Sequence, residues 1–190
     1  MDRKEFLQKS LKMGLGSGAL VILGGLNTRT TAAQTPQPDE LTVVKQQKEF
    51  IQNWLTDLLN TMDATLDEET KSKLIAGCGR GCFDRHVFKQ NIAKQGEGDV
   101  DKLVQALKKN FECWREGDKV HVRYGETSSR CYCPAANYRA AKPNDMHCYC
   151  TRATHQAIWE TALHRPIKVE IVETLRRGGV TCHFLVHLPS

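Results

Sequence analysis

The sequence predicts an α+β domain in which N-terminal helices pack on a small, mostly antiparallel sheet ending in a C-terminal hairpin. Three observations lead there. Apolar residues recur every three or four positions from Val44 to Leu107. That period gives way to alternation in "KVHVRY" after Gly117. Two strand-like runs, "IKVEIVETL" and "VTCHFLVHL", then flank the turn "RRGG". Helical period followed by strand period within one short chain is the pattern of helices laid against a sheet.

Residues 1–33 have the three parts of an export signal: a basic start, an uncharged apolar run from Met13 to Leu26, and small residues ending at Ala32 and Ala33. The segment "RKEFLQK" resembles the twin-arginine consensus, with Lys4 in place of the second arginine. Fourteen uncharged residues with five glycines are short for a bilayer span. No stable membrane span is therefore expected after signal removal, and the passenger is expected outside the cytoplasm, as in a periplasm. A linker at 34–40, "QTPQPDE", leads into one Cys-rich domain at 41–190.

The linker gives way to a long amphipathic helix carrying Val44, Phe50, Ile51, Trp54, Leu55, Leu58, Leu59 and Met62. Asp67 caps a second helix running toward Ile75, and "GCGRGC" at 77–82 is expected to interrupt it. Helix resumes from about Phe83 to Lys94. Asp99 caps another, with Val100, Leu103, Val104, Leu107, Phe111 and Trp114 on one face. In the strand that follows, Val120, Val122 and Tyr124 alternate with polar residues. "MHCYC" reads as a short strand or extended turn, and Thr151 opens a helix to about Leu163. In the final hairpin, Val180, Cys182, Phe184, Val186 and Leu188 share a face, and the turn glycines supply positive backbone angles.

Charge says little about partners. The net charge is +5, of which +3 comes from the first 33 residues, leaving 22 basic against 20 acidic side chains without a block of either sign. That balance gives no support to a nucleic-acid groove or a polybasic membrane patch.

The chemistry lies in the cysteines. Cys-Tyr-Cys occurs twice, at 131–133 and 148–150. Closing a disulfide over one intervening residue strains the sulfur geometry, so bridges would run between the tripeptides or to other cysteines. Two close pairs across a 14-residue loop match a four-cysteine metal site built from Cys131, Cys133, Cys148 and Cys150, with zinc favoured over an iron–sulfur cluster. Placed just before a helix, Cys148 and Cys150 are expected to have lowered thiol pKa values. His147, next to them, is a ligand, a base or a surface residue. Cys78 and Cys82, four apart among glycines, are either nucleophile candidates together with Cys150 or small thiols at a helix junction. Cys182 reads as a small hydrophobe or part of a pocket wall, and Cys113 has no specific reading.

The ending "VEIVETLRRGGVTCHFLVHL" resembles that of the vinyl-4-reductase-like ligand-binding domains, and it is also similar to the ending of the aminothiazoline carboxylate hydrolase-like proteins. "CGRGC", "CYCP" and "CYC" before a helix resemble uncharacterised bacterial proteins sharing that ending. The resemblance implies a small-molecule pocket between helices and sheet, with Glu173, Gly178, Gly179, Cys182 and Phe184 shaping the hairpin and the pocket floor. Three functional expectations compete. The first is an exported small-molecule-binding domain with a metal site. The others are a thiol- or metal-dependent hydrolase of a small heterocyclic or thio compound, and a disulfide-stabilised domain without metal.

Overall fold

A computed structural model describes residues 39–188 apart from 134, 136 and 137. The expected export signal and nearly all of the linker lie outside the described residues. The α+β reading holds: among the described residues, five helices pack with a four-stranded antiparallel sheet whose last two strands form the C-terminal hairpin.

Helix α1 (Glu40–Thr65) begins at Asp39, whose carboxylate accepts from the Thr42 backbone N–H at 2.8 Å. Helix α2 (Glu68–Arg85) begins the same way at Asp67, which accepts from the Thr70 N–H at 2.9 Å. Such caps contribute about 1 kcal/mol each. Only the C-terminal part of the α1 apolar stripe is packed. Leu59 joins Ile75 and Met146 in a small core flanked by Leu55 and Met62, whereas Val44, Phe50, Ile51 and Trp54 are exposed.

The glycine-rich segment does not interrupt α2, contrary to expectation. The helix runs through residues 77–82 and breaks at His86, where the backbone turns extended before α3 (Val87–Gln95). Asp99 caps α4 (Val100–Lys108), accepting from the Asp101 and Lys102 N–H groups. That helix stops well short of Trp114. Glu112–Glu116 instead forms strand β1, pairing with β2 (Lys119–Arg123) through the Gly117–Asp118 turn. Gly117 takes the positive φ of 61° that primed hairpin turns demand. The 3.6-residue spacing of Phe111 and Trp114 from Leu107 is coincidental. In β1 Cys113 points into the core and Trp114 out, where its ring stacks on His121.

Helix α5 (Cys148–Leu163) opens three residues earlier than expected. The Asp145 carboxylate accepts from the His147 N–H at 3.0 Å, and the Asp145 carbonyl takes the Cys148 N–H. Strands β3 (Lys168–Glu173) and β4 (His183–His187) form the expected hairpin around a 3₁₀ turn at Leu175–Arg177, with Gly178 at φ 91°. The sheet order is β1-β2-β4-β3. Val120, Val122, Val169, Phe184 and Val186 face a core shared with Leu103, Leu107, Ile158 and Trp159. Helix α5 packs against the sheet on one side and α2 on the other, and eight of its sixteen residues are buried.

Candidate functional site

The early start of α5 decides where its thiols point. Successive residues of an α-helix are about 100° apart, so two positions separated by one residue face nearly opposite ways, whereas residues four apart share a face. Cys148 and Cys150 are therefore divided, and Cys78 and Cys82, on the uninterrupted α2, are aligned. Cys148 is buried with its Sγ 3.0 Å from the Thr174 hydroxyl, in the neighbourhood of Cys182 and Asp145. Cys150 turns toward α2 and the preceding loop. The expected quartet of Cys131, Cys133, Cys148 and Cys150 is accordingly split, with Cys148 outside it.

Gly79 brings α2 against the first turns of α5. A Cβ at this position would fall on the Cys150 carbonyl oxygen and within 2.8 Å of the Ala153 Cβ. Thr154 Oγ1 donates to both the Gly79 and Cys150 carbonyls, at 3.0 and 3.1 Å. Cys78 and Cys82 flank this crossing. Lys89 of α3 donates from Nζ to Cys82 Sγ at 2.9 Å, and His86 Nδ1 lies 2.6 Å from the Cys82 carbonyl oxygen. From the loop, Cys133 Sγ lies 3.1 Å from His147 Nε2. His147 is thus a buried partner of a thiol rather than a surface residue.

Burial works against the thiolate form of Cys133, Cys148 and Cys150. Burial pushes Cys150 up to about 12, and neighbouring Cys133, Cys82 and Cys78 push the same way. Burial raises Cys148 to about 11 despite the Thr174 hydroxyl, and it raises Cys133, with Cys131 and Cys82 adding to the shift. The lowered thiol pKa expected at the start of α5 is overturned, because withdrawal from water outweighs the helix dipole. Burial, reinforced by Arg176, also holds His147 below the ordinary imidazole value.

Beneath the thiols, the Tyr124 hydroxyl lies 3.0 Å from His155 Nε2. Burial raises the phenol pKa, and the thiols of Cys182, Cys131, Cys82 and Cys133 reinforce the shift. His155 is pushed by burial to about 3 and stays neutral, packed edge-on to Tyr124 and tilted against Phe184. Phe184 is therefore core beneath the site. Cys182 lies at its edge, and Glu173 braces the hairpin turn by accepting from the Val180 N–H at 3.1 Å.

The sequence reading missed the device that positions the Cys131–Cys133 loop. Asp145, fully buried, accepts from Arg139 at 2.6 Å and from Arg176 Nε at 2.9 Å. Arg139 also pairs with Asp63 and donates to Asn60 on α1 at 3.0 Å, while Arg176 reaches the Arg139 carbonyl at 3.1 Å. Loop and hairpin turn meet on the Asp145 carboxylate, and Arg139 links that pair to Asn60 and Asp63 of α1. Lys89, likewise missed, was within reach of the sequence as the cation seven residues beyond Cys82.

Among the described residues, no group of three or more His, Cys, Asp or Glu side chains is placed to hold a single metal ion. An open hollow of about 750 Å³ lies between α5 and β3, lined by Tyr149, Arg152, Gln156, Lys168 and Arg177 among others. No cysteine lines it, and neither do Glu173 and Phe184. No helix among the described residues is long and apolar enough to cross a membrane.

No family model and no curated protein matches the chain. Among solved structures, a vinyl-4-reductase family protein from Methanocaldococcus jannaschii is similar over 82% of this chain and 85% of its own, at 8% identity and a TM-score of 0.31. That comparison touches the vinyl-4-reductase resemblance alone. The aminothiazoline carboxylate hydrolase likeness rests on the C-terminal residues that suggested it.

Proposed function

We propose that the chain is an exported small-molecule-binding domain that holds a thiolate-bound metal centre where α2, the Cys131–Cys133 loop and the start of α5 meet. The observation that carries this reading is the seating of Gly79, between Cys78 and Cys82 on α2, against the Cys150 carbonyl of α5, with Lys89 Nζ 2.9 Å from Cys82 Sγ and His147 Nε2 3.1 Å from Cys133 Sγ. Thiolates that repel one another in a shared low-dielectric space become favourable together once a cation is bound among them. Export after folding, the route suggested by the twin-arginine-like start, would let the metal be loaded before the thiols meet an oxidising compartment.

Metal analysis with thiol counting, on protein purified from its native compartment, tests the reading. The expected result is bound metal with thiols that react only after chelation. Metal-free protein whose thiols appear only after reductant is added would instead identify a disulfide-stabilised domain.

A hydrolase reading retains one specific support, the Lys89 ammonium 2.9 Å from Cys82 Sγ. An ammonium in that place can hydrogen-bond the sulfur of a nucleophilic cysteine. Hydrolysis of a small thioester by the wild type and its loss in Cys82→Ser would support this reading, and equal rates in the two proteins would remove it.

A further inference from the structure

A small-molecule-binding domain needs a site with room for a ligand, and the hollow between α5 and β3 supplies it. Its volume, about 750 Å³, falls in the usual range of small-ligand pockets. Three cationic side chains line it, Arg152 of α5, Lys168 of β3 and Arg177 of the hairpin turn, against the single carboxylate of Glu170. Tyr149 and Ile171 add an aromatic and an aliphatic wall.

The positive charges there are unequally answered. Lys168 pairs with Glu170, which leaves the two arginines. Both guanidiniums lie over the Tyr149 ring, their central carbons 4.6 and 4.9 Å from its centre, so two positive charges share one aromatic platform. Each is anchored by a neutral group. Arg152 Nη2 donates to the Ser72 hydroxyl of α2 at 2.9 Å, and Arg177 donates from Nε and Nη2 to the Asp145 carbonyl at 3.2 and 3.1 Å. Neither arginine is ion-paired with a carboxylate among the described residues. Glu68, which accepts from the Tyr149 hydroxyl, is itself paired with Lys71 at 2.9 Å.

Two like charges held this close repel each other until an anion joins them. Arginine is the favoured residue where carboxylate or phosphate is recognised, because its planar fork matches the oxygens. A carboxylate cancels one of the two charges, whereas a phosphate monoester, close to doubly charged at neutral pH, cancels both. Anchoring the guanidiniums in advance reduces the ordering cost of binding.

We propose that this hollow binds a small organic phosphate, its phosphate on Arg152 and Arg177 and its organic part against Tyr149 and Ile171. The site rests on the small-molecule part of the reading above and not on its metal centre.

The test is calorimetric titration of the full chain with phenyl phosphate, benzoate and benzamide, probes of similar size and different charge. Phenyl phosphate should bind once per chain and more tightly than benzoate, with benzamide weakest, and added salt should loosen it. Arg152→Gln and Arg177→Gln should each weaken phenyl phosphate about tenfold or more, the loss of one charge-assisted bond. Arg115→Gln, outside the hollow, should leave it unchanged. Glu170→Gln removes the one carboxylate of the lining and should tighten binding, a gain that a damaged fold cannot produce. Benzoate bound as tightly as phenyl phosphate would overturn the match to a doubly charged group. Benzamide bound equally well, with no effect of either arginine, would overturn the anion site and leave the small-molecule reading standing. Binding of none of the probes would overturn the site itself, and metal analysis of the same protein judges the metal centre separately.

Discussion

Two glycines two residues apart on α2 should respond oppositely to the same added methyl group. At Gly77 a Cβ would meet nothing within 4 Å, so Gly77→Ala gains only helix propensity, about 0.5–1 kcal/mol. At Gly79 the Cβ would fall on the Cys150 carbonyl and lie 2.8 Å from the Ala153 Cβ and 3.0 Å from the Thr154 nitrogen. Ordinary carbon contacts need roughly 3.5–4 Å, so the helices must separate by close to 1 Å. Two of these three obstacles are backbone atoms, which no rotamer change relieves. Overpacking of this kind costs about 1–3 kcal/mol, and loosening the Thr154 Oγ1 bond to the Gly79 carbonyl costs about 1 more. After the propensity gain, Gly79→Ala should be destabilised by about 1–3 kcal/mol. Urea melts of both variants, fitted for midpoint and slope, measure this. Gly79→Ala should also weaken metal retention, since it moves Cys78 and Cys82 away from Cys150. If it proves as stable as Gly77→Ala, the close crossing of α2 and α5 is wrong and the site built on it fails.

Further outcomes are expected elsewhere. Asp145→Asn leaves Arg139 and Arg176 buried without their shared carboxylate and should cost about 3–5 kcal/mol by denaturant melt; a loss under about 0.5 kcal/mol would dismiss the lock. His155, held near 3 in the folded chain against 6.5 as its ordinary value, refuses a proton that the unfolded chain accepts. Its contribution is therefore complete above pH 6.5 and falls by about 1.4 kcal/mol per pH unit as pH drops toward 3. His155→Gln should flatten the pH dependence of the melting temperature by that part, and equal slopes in the two proteins would refute it. N-terminal sequencing of fractionated cells should find a mature chain beginning near Gln34 outside the cytoplasm; a cytoplasmic chain starting at Met1 would reject export.

What could be read from the sequence was whatever local chemistry decides. Asp67 and Asp99 cap helices because their carboxylates reach the N–H groups of the following turn, and Gly178 makes the hairpin turn because few other residues accept its φ. Where contacts distant in sequence decide, the reading failed. Glycines 77, 79 and 81 lower helix propensity, yet α2 persists through them because Gly79 is the point where α5 packs. Strand β1 continues an apparent helical face until its pairing with β2 is known.

The candidate site depended most on one such boundary. Read as an extended turn, "CYC" at 148–150 presents two thiols to a common point and makes a quartet with 131–133. Once Asp145 draws the helix start back to Cys148, the same tripeptide presents its thiols to opposite sides. Cys150 is then left to find partners on α2, where an unbroken helix has aligned Cys78 and Cys82. Asp145 is set by Arg139 and Arg176, from residues on either side of it in the chain, so the choice of thiols is made by a buried charge network that contains no cysteine. It follows that Asp145→Asn should disturb the partnership of Cys150 as well as lower stability. Its thiols should become reactive under conditions where Cys148→Ser leaves them protected.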